Sequence, residues 1–251
     1  MIVSWIFGMV VQACTFGGLL VGFAAQKLIP ESHRTLETRK VMKVGIGLIG
    51  TLGAFVLGLM ISSASISYDR QRQELIDLSA KVVMLDRALA RYGPETQPHR
   101  RELRGIVQRA ADRIWPESRT APVMIEPVLS AEAWLESVHS LVPATDAQRF
   151  LRDRAVALAT EVTSTRWLLY HQSVTTISAP LLFMITSWFV LVFVCIGLMA
   201  PRNSTVIAML FVCALSVTGA MMLALDLDRP FEGVLRISSE PVQRAIDQLG
   251  K

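Results

Sequence analysis

The chain has 251 residues, of which 52% are apolar and 18% charged, with a net charge of +4 and three cysteines. So small a charge excess argues against nucleic acid as a partner, and the crowding of the apolar residues into long runs argues against a single soluble core. Cys14, Cys195 and Cys213 fall inside those runs, in no C-x-x-C pair and no zinc-ligand spacing, so structural thiols and no disulfide are expected.

The first run spans Ile2 to Leu28. It lacks the basic start of a secretory signal, since no Lys or Arg precedes Lys27, and a second run follows closely, so it reads as a retained transmembrane helix. The second run, Val44 to Ala64, is rich in glycine; Gly50, Ala54 and Gly58 recur every four residues and form a candidate packing seam where another helix can come close in lipid. The third run covers Ile177 to Met199 and the fourth Val206 to Leu225. All four are near the ~20 residues that a helix needs to cross a hydrocarbon core about 30 Å thick, and helices are the form that leaves no backbone group unpaired in lipid.

Between the pairs lies a mostly polar insert. Leu75, Leu78, Val82, Leu85 and Leu89 alternate in steps of three and four, the spacing of a helix seam. Gly93-Pro94 breaks it. A second helix is expected from about Pro98 to Trp115-Pro116, with Leu103, Ile106, Val107, Ala110 and Ile114 facing inward, and Ser118 to Pro127 reads as a loop. Ser130 is a candidate N-cap for a short helix with Trp134, Leu135, Val138 and Leu141 inside, ended by Pro143. Thr145-Asp-Ala-Gln148 fits a capping box. The stripe Leu151, Ala155, Leu158, Val162, Thr165 and Leu169 then runs toward the third span, and the first and last helices of the insert are read as extensions of spans two and three. In the tail, Val242, Ala245, Ile246 and Leu249 share one face of a short helix from Ser239, which is expected to cover the bundle.

These elements give an all-α polytopic membrane protein with four transmembrane helices and a helical extramembrane bundle inserted between helices two and three. Its parts are the first helical pair (1–64), the bundle (65–176), the second pair (177–225) and a tail (226–251). The lipid bilayer is its first partner. Flanking cations do not orient it: Lys27, Arg34, Arg39, Lys40, Lys43 and Arg202 on one side oppose Arg70, Arg72, Lys81, Arg166, Arg229, Arg236, Arg244 and Lys251 on the other.

No catalytic constellation is present. His33, His99, His139 and His171 lie on separate elements outside any ligand motif, and the chain has no nucleophile elbow, phosphate loop or dinucleotide fingerprint. The expectation is a protein that is not an enzyme and that has no catalytic, cofactor or metal residues. The spans carry no charge at mid-depth, which disfavours proton coupling; their polar groups Gln12, Thr15, Thr51, Thr186, Ser187, Ser216 and Thr218 are expected mostly to bond to helix backbones. Asp226 and Asp228 sit where a helix ends, against its dipole. A turn pairing one of them with an arginine of the bundle is favoured over a cation site.

Two stretches resemble the bacterial bestrophin-like (DUF4239) membrane protein family. One is Leu85-Asp-Arg-Ala-Leu-Ala-Arg-Tyr-Gly-Pro-Glu95, followed by Arg101, Leu103 and Ile114-Trp-Pro116; the other is Leu227-Asp-Arg-Pro-Phe-Glu-Gly233, similar to that family's D-x-P-F-x-G pattern through Asp228, Pro230, Phe231 and Gly233. The order of two spans, helical insert and two spans agrees. The resemblance to true bestrophins implies a homo-oligomer, as in their pentameric anion channels, with an apolar neck on the second span at Leu52, Phe55 and Leu59, an inorganic ion as its cargo, and the middle bundle in the cytoplasm of a bacterial inner membrane. No match to the acidic calcium clasp of animal bestrophins is found, so calcium gating is not expected. Three functions are in competition: an oligomeric ion channel, a non-conducting membrane scaffold or stress-response component, and, with least support, a membrane enzyme.

Overall fold

The computed structural model describes residues 2–28, 36–116, 129–172, 177–231 and 235–251. Its elements are α1 (Ile2–Ala25), α2 (Leu36–Tyr92), a 3₁₀ turn (Pro94–Thr96), α3 (Gln97–Ile114), α4 (Leu129–His139), α5 (Asp146–Gln172), α6 (Ala179–Met199), α7 (Ser204–Leu227) and α8 (Glu240–Gln248), with no strand among the described residues. Four of these helices, α1, α2, α6 and α7, are long and apolar enough to cross a membrane. The chain divides into two compact units, Met1–Ser67 with Thr175–Arg229 and Gly233–Leu235, and Tyr68–Val174 with Pro230–Glu232 and Arg236–Lys251.

In the first unit α1 packs against both α6 and α7. The reason lies in its glycines. A Cβ at Gly22 would overlap the Val194 carbonyl oxygen and stand 2.9 Å from the Gly197 Cα, and one at Gly18 would sit 3.1 Å from the Val190 carbonyl oxygen. Because Gly18 meets Val190 and Gly22 meets Gly197, α1 and α6 run parallel, their backbones in contact. In lipid such closeness replaces the hydrophobic drive with dispersion. The same two helices fasten each other's ends: Gln26 Nε2 donates to the Gly197 and Ala200 carbonyls at 2.9 Å each, and the Arg202 guanidinium donates to the Phe23 carbonyl. Carbonyls of a last helical turn lack intrahelical partners, so these side chains satisfy them. Around the crossing, Val11, Leu57, Met60, Ile185, Phe189, Met221 and Ala224 form one buried cluster and Leu19, Phe23, Phe193 and Ala214 another.

The hydroxyls within these helices mostly bond to their own backbones, as expected: Thr15 to Val11 at 2.8 Å, Thr51 to Gly47 at 2.8 Å, Thr186 to Leu182 at 2.7 Å and Ser216 to Val212 at 2.9 Å. Thr218 differs. Its hydroxyl donates across to Gln12 Oε1 at 2.9 Å, tying α7 to α1.

The second unit is built from the remainder of α2 with α3, α4, α5 and α8. Val82, Leu85, Leu89, Leu103, Ile106, Trp134, Val138, Ala155 and Leu158 share one core, which draws on each periodic stripe of the insert. The heptad-like spacing therefore marks the buried faces. α3 begins at Gln97 and ends at Ile114, close to the expected limits. α8 lays Val242, Ala245 and Ile246 into the bundle, and Leu249 joins its core.

Three local expectations change. α2 does continue span two, as 57 residues of unbroken helix. α5, however, ends at Gln172 and does not run on into span three; α6 starts after Ser178, whose ψ of 137° is extended, with Pro180 in its first turn. Proline preceded by extended backbone begins a helix and cannot continue one. Ser130 is not an N-cap, because α4 already includes Leu129. At Thr145 the capping bond is made, Gln148 N–H to Thr145 Oγ1 at 3.1 Å, but Gln148 Oε1 reaches one residue further back, accepting from the Ala144 N–H at 2.8 Å. The expected loop Ser118–Pro127 lies outside the described residues.

Candidate functional site

On α2 the membrane segment has two unlike sides. Gly53, Leu57, Met60 and Ala64 are buried, and the Phe189 ring of α6 lies 3.4 Å from where a Gly53 Cβ would stand. At about 100° per residue these four positions fall on one side of the helix. The stripe Val44, Leu48, Leu52, Phe55, Leu59 and Ile66 falls roughly 150° away, and all six are exposed in the isolated chain: Leu52 is 47%, Phe55 63% and Leu59 55% accessible. The seam residues are uncovered too. Ala54 and Gly58 are exposed, Gly50 is half-buried, and a Cβ at Gly50 or Gly58 would meet nothing within 4 Å. Within one subunit the seam positions thus hold no neighbour; the close crossing is made by Gly18, Gly22 and Gly197, which the repeat on α2 did not suggest.

The second unit gathers the stretches that carry the family resemblance. Gly93 ends α2 at φ +150°, ψ 173°, a conformation that glycine alone adopts without strain. The Thr96 hydroxyl then closes the turn on the Leu89 carbonyl at 2.5 Å. Asp86, 1% accessible, receives Arg100 Nε and Nη2 at 2.8 Å each in a two-pronged bond; Arg100 is 5% accessible. Arg100 Nη2 also donates to the Lys251 carbonyl at 3.0 Å, and the Gly250 N–H donates to Asp86 Oδ2 at 3.3 Å. The bond to Asp86 holds the Arg100 guanidinium above the ordinary arginine value, against the opposing effect of burial. From the other stretch, Phe231 is buried with Leu75, Ala111, Ile237, Val242 and Ile246, its ring 6.2 Å from that of Trp115 at 71°. Trp115 Nε1 donates to the Ile237 carbonyl at 2.9 Å, Arg236 caps the Ile114 carbonyl at 2.7 Å, and the Ile237 N–H closes on Pro230 at 2.8 Å. The Ile114-Trp-Pro116 run and the Pro230-Phe231 pair therefore meet face to edge. Gly233 lies outside the described residues.

The Asp86–Arg100 pair was missed in the sequence although a signal existed. Asp86 stands four residues after Val82 and Arg100 three before Leu103, so each lies on the apolar side of its helix. Opposite charges inside two apolar stripes are a signature of a buried pair. Asp226 and Asp228 are both buried, and Asp228 Oδ2 accepts the Ile177 N–H at 3.3 Å, tying the end of α7 to the approach of α6.

Among the described residues no three His, Cys, Asp or Glu side chains gather as a metal site, and Cys14, Cys195 and Cys213 are free thiols. Of the histidines, His99 offers its backbone carbonyl to Trp134 Nε1 at 2.9 Å and His139 is exposed in the last turn of α4. His33 lies outside the described residues, as does the side chain of His171.

Span-length apolar helices on either side of a helical insert define a multi-pass α-helical membrane protein. Residues 13–242 match the bestrophin-like domain, nearly the whole chain, and the protein belongs to the bestrophin-like family. Its fold is similar to that of a bacterial bestrophin homolog from Klebsiella pneumoniae bearing a point mutation, with a TM-score of 0.65 and 12% identity over 97% of this chain and 99% of that one. At that identity the likeness speaks for the fold. No curated protein matches the chain. Family membership makes an ion channel the candidate activity.

Proposed function

We propose that the protein is an oligomeric channel for small inorganic anions, with α2 of each subunit set around a common axis. The observation that supports this reading is the uncovered apolar stripe of α2, on which Leu52, Phe55 and Leu59 would form the neck. The opposite side of the same helix is already committed to α6 through Gly53 and Leu57. A helix anchored on one side and bare on the other is suited to line an axis or to meet a second copy. Gly50, Ala54 and Gly58 would supply the close approach between neighbours, and an apolar ring at the neck would gate by dewetting without any charge. In this reading the assembly is a pentamer in the bacterial inner membrane, built from the helical pairs 1–64 and 177–225, with the bundle of residues 65–176 in the cytoplasm and 226–251 as its tail. Asp228, Pro230, Phe231 and Gly233 are a structural signature in this reading, not part of the ion path.

The test combines a mass determination on the detergent-purified protein with planar-bilayer recording of the same sample. Phe55→Ala widens the neck and should raise conductance or leave the channel open; an unchanged current removes Phe55 from the gate. A stable assembly that stays silent across voltage, pH and calcium would point to the non-conducting scaffold instead. A monomer would refute both the neck and the seam.

A further inference from the structure

Within the extramembrane unit, α2, α3, α4, α5 and α8 line a partly open cavity of about 110 Å³. Its walls are apolar, with Leu78, Val107, Ala110, Leu135 and Val162 among them, but Arg113 and Arg166 also line it. Most other hydrogen-bonding groups on the wall are committed. Trp134 Nε1 is bonded to the His99 carbonyl, Trp115 Nε1 to the Ile237 carbonyl, and the Thr163 hydroxyl to the Ala159 carbonyl at 2.9 Å. Among the described residues neither arginine makes a salt bridge. Burial pushes the Arg166 guanidinium below the ordinary arginine value; Glu132 opposes that effect and Arg113 adds to it. Arg166 is half-buried with no direct partner, a costly position for a charge, and the exposed Arg113 adds a second positive charge to the same wall. Two guanidinium donors beside an apolar wall would be relieved by an anion that carries an apolar tail.

We propose that this cavity binds a short-chain amphiphilic anion, a carboxylate whose head pairs with Arg166 and Arg113 and whose alkyl tail fills the apolar space. The size limits the tail: a cavity of roughly 150 Å³ lined by aliphatic and aromatic side chains admits the six carbons of benzene, so the smaller space here fits a tail of about four or five carbons, as in hexanoate beyond its carboxylate. A neutral polar ligand would find few open partners, and a cation would face two like charges.

The test is a saturation-transfer NMR titration of the full chain in lipid nanodiscs with hexanoate, hexanol and hexylammonium, with empty nanodiscs subtracted. Hexanoate should bind, hexanol at least tenfold more weakly, and hexylammonium not at all. Arg166→Gln should weaken hexanoate about tenfold and leave hexanol unchanged, and Arg113→Gln should weaken it in the same direction. Ala110→Phe, which fills the space, should abolish binding of both. No saturable hexanoate signal in the unmodified protein, equal affinity for hexanoate and hexanol, or full hexanoate affinity in Arg166→Gln would each overturn the proposal. The arginine variants decide the matter even if the cavity-filling variant does not fold.

Discussion

Asp86→Ala removes a carboxylate that is 1% accessible and leaves Arg100, at 5%, without its two 2.8 Å bonds. What remains to the guanidinium is the Lys251 carbonyl at 3.0 Å, while the Gly250 N–H loses its acceptor. Breaking a buried pair by removing one partner costs about 3–5 kcal/mol, because a desolvated charge is stranded. At roughly 2–4 °C per kcal/mol for a chain of this size, the unfolding transition should fall by about 10 °C. Hydrogen exchange gives a local readout: the amides of α8 and of Gly250 should lose protection before those of α3, since the pair is what anchors the chain after Leu249. Joint replacement, Asp86→Leu with Arg100→Met, should recover most of the loss, because two apolar side chains strand no charge. Arg100 is held above its ordinary value, so its share of stability is complete below the unfolded arginine pKa and declines only as pH rises past it toward the folded one. The transition temperature should therefore show no step assignable to Arg100 between pH 6 and 10, on the order of the usual assay range. A loss below about 1 kcal/mol in Asp86→Ala, the value of a solvated surface pair, would refute the claim that this ion pair is buried and structural.

Gly22→Ala should separate α1 from α6, because the added methyl overlaps the Val194 carbonyl oxygen and lies 2.9 Å from Gly197 Cα; a loss of about 1–3 kcal/mol is expected from overpacking, whereas Gly47→Ala, with open space around it, should cost far less in the same detergent-melting assay. Equal melting temperatures for the two variants would contradict the crossing. Phe231→Ala should destabilise the second unit by about 3–5 kcal/mol, the range for a buried aromatic, and should raise the exposure of Trp115, read as a red shift of fluorescence in a variant that keeps Trp115 as the reporter tryptophan. An unshifted spectrum would mean that the ring contact does not shield Trp115.

Hydropathy and period determined a good deal by themselves. Runs near 20 apolar residues have one stable form in lipid, so the four spans were legible without reference to neighbours. Gly93-Pro94 marked the end of α2 because glycine supplies the φ of +150° and proline withholds a donor. The stripes at Leu75 to Leu89, Leu103 to Ile114 and Leu151 to Leu169 marked the inner faces of the bundle because a helix repeats its side every three to four residues. What period cannot give is the partner of each face. Gly50, Ala54 and Gly58 make the more regular stripe, yet the backbones that touch are those of Gly22 and Gly197, separated by most of the chain; only the folded arrangement of α1 and α6 decides that. Asp86 and Arg100 stand on the apolar sides of their helices in the sequence, but that they meet each other, with the carbonyl of Lys251 beside them, is decided only when α3 turns back on α2. Local sequence sets which residues share a side of a helix, through fixed backbone geometry. Which sides meet depends on close packing between segments distant in the chain, and that is a property of the tertiary structure alone.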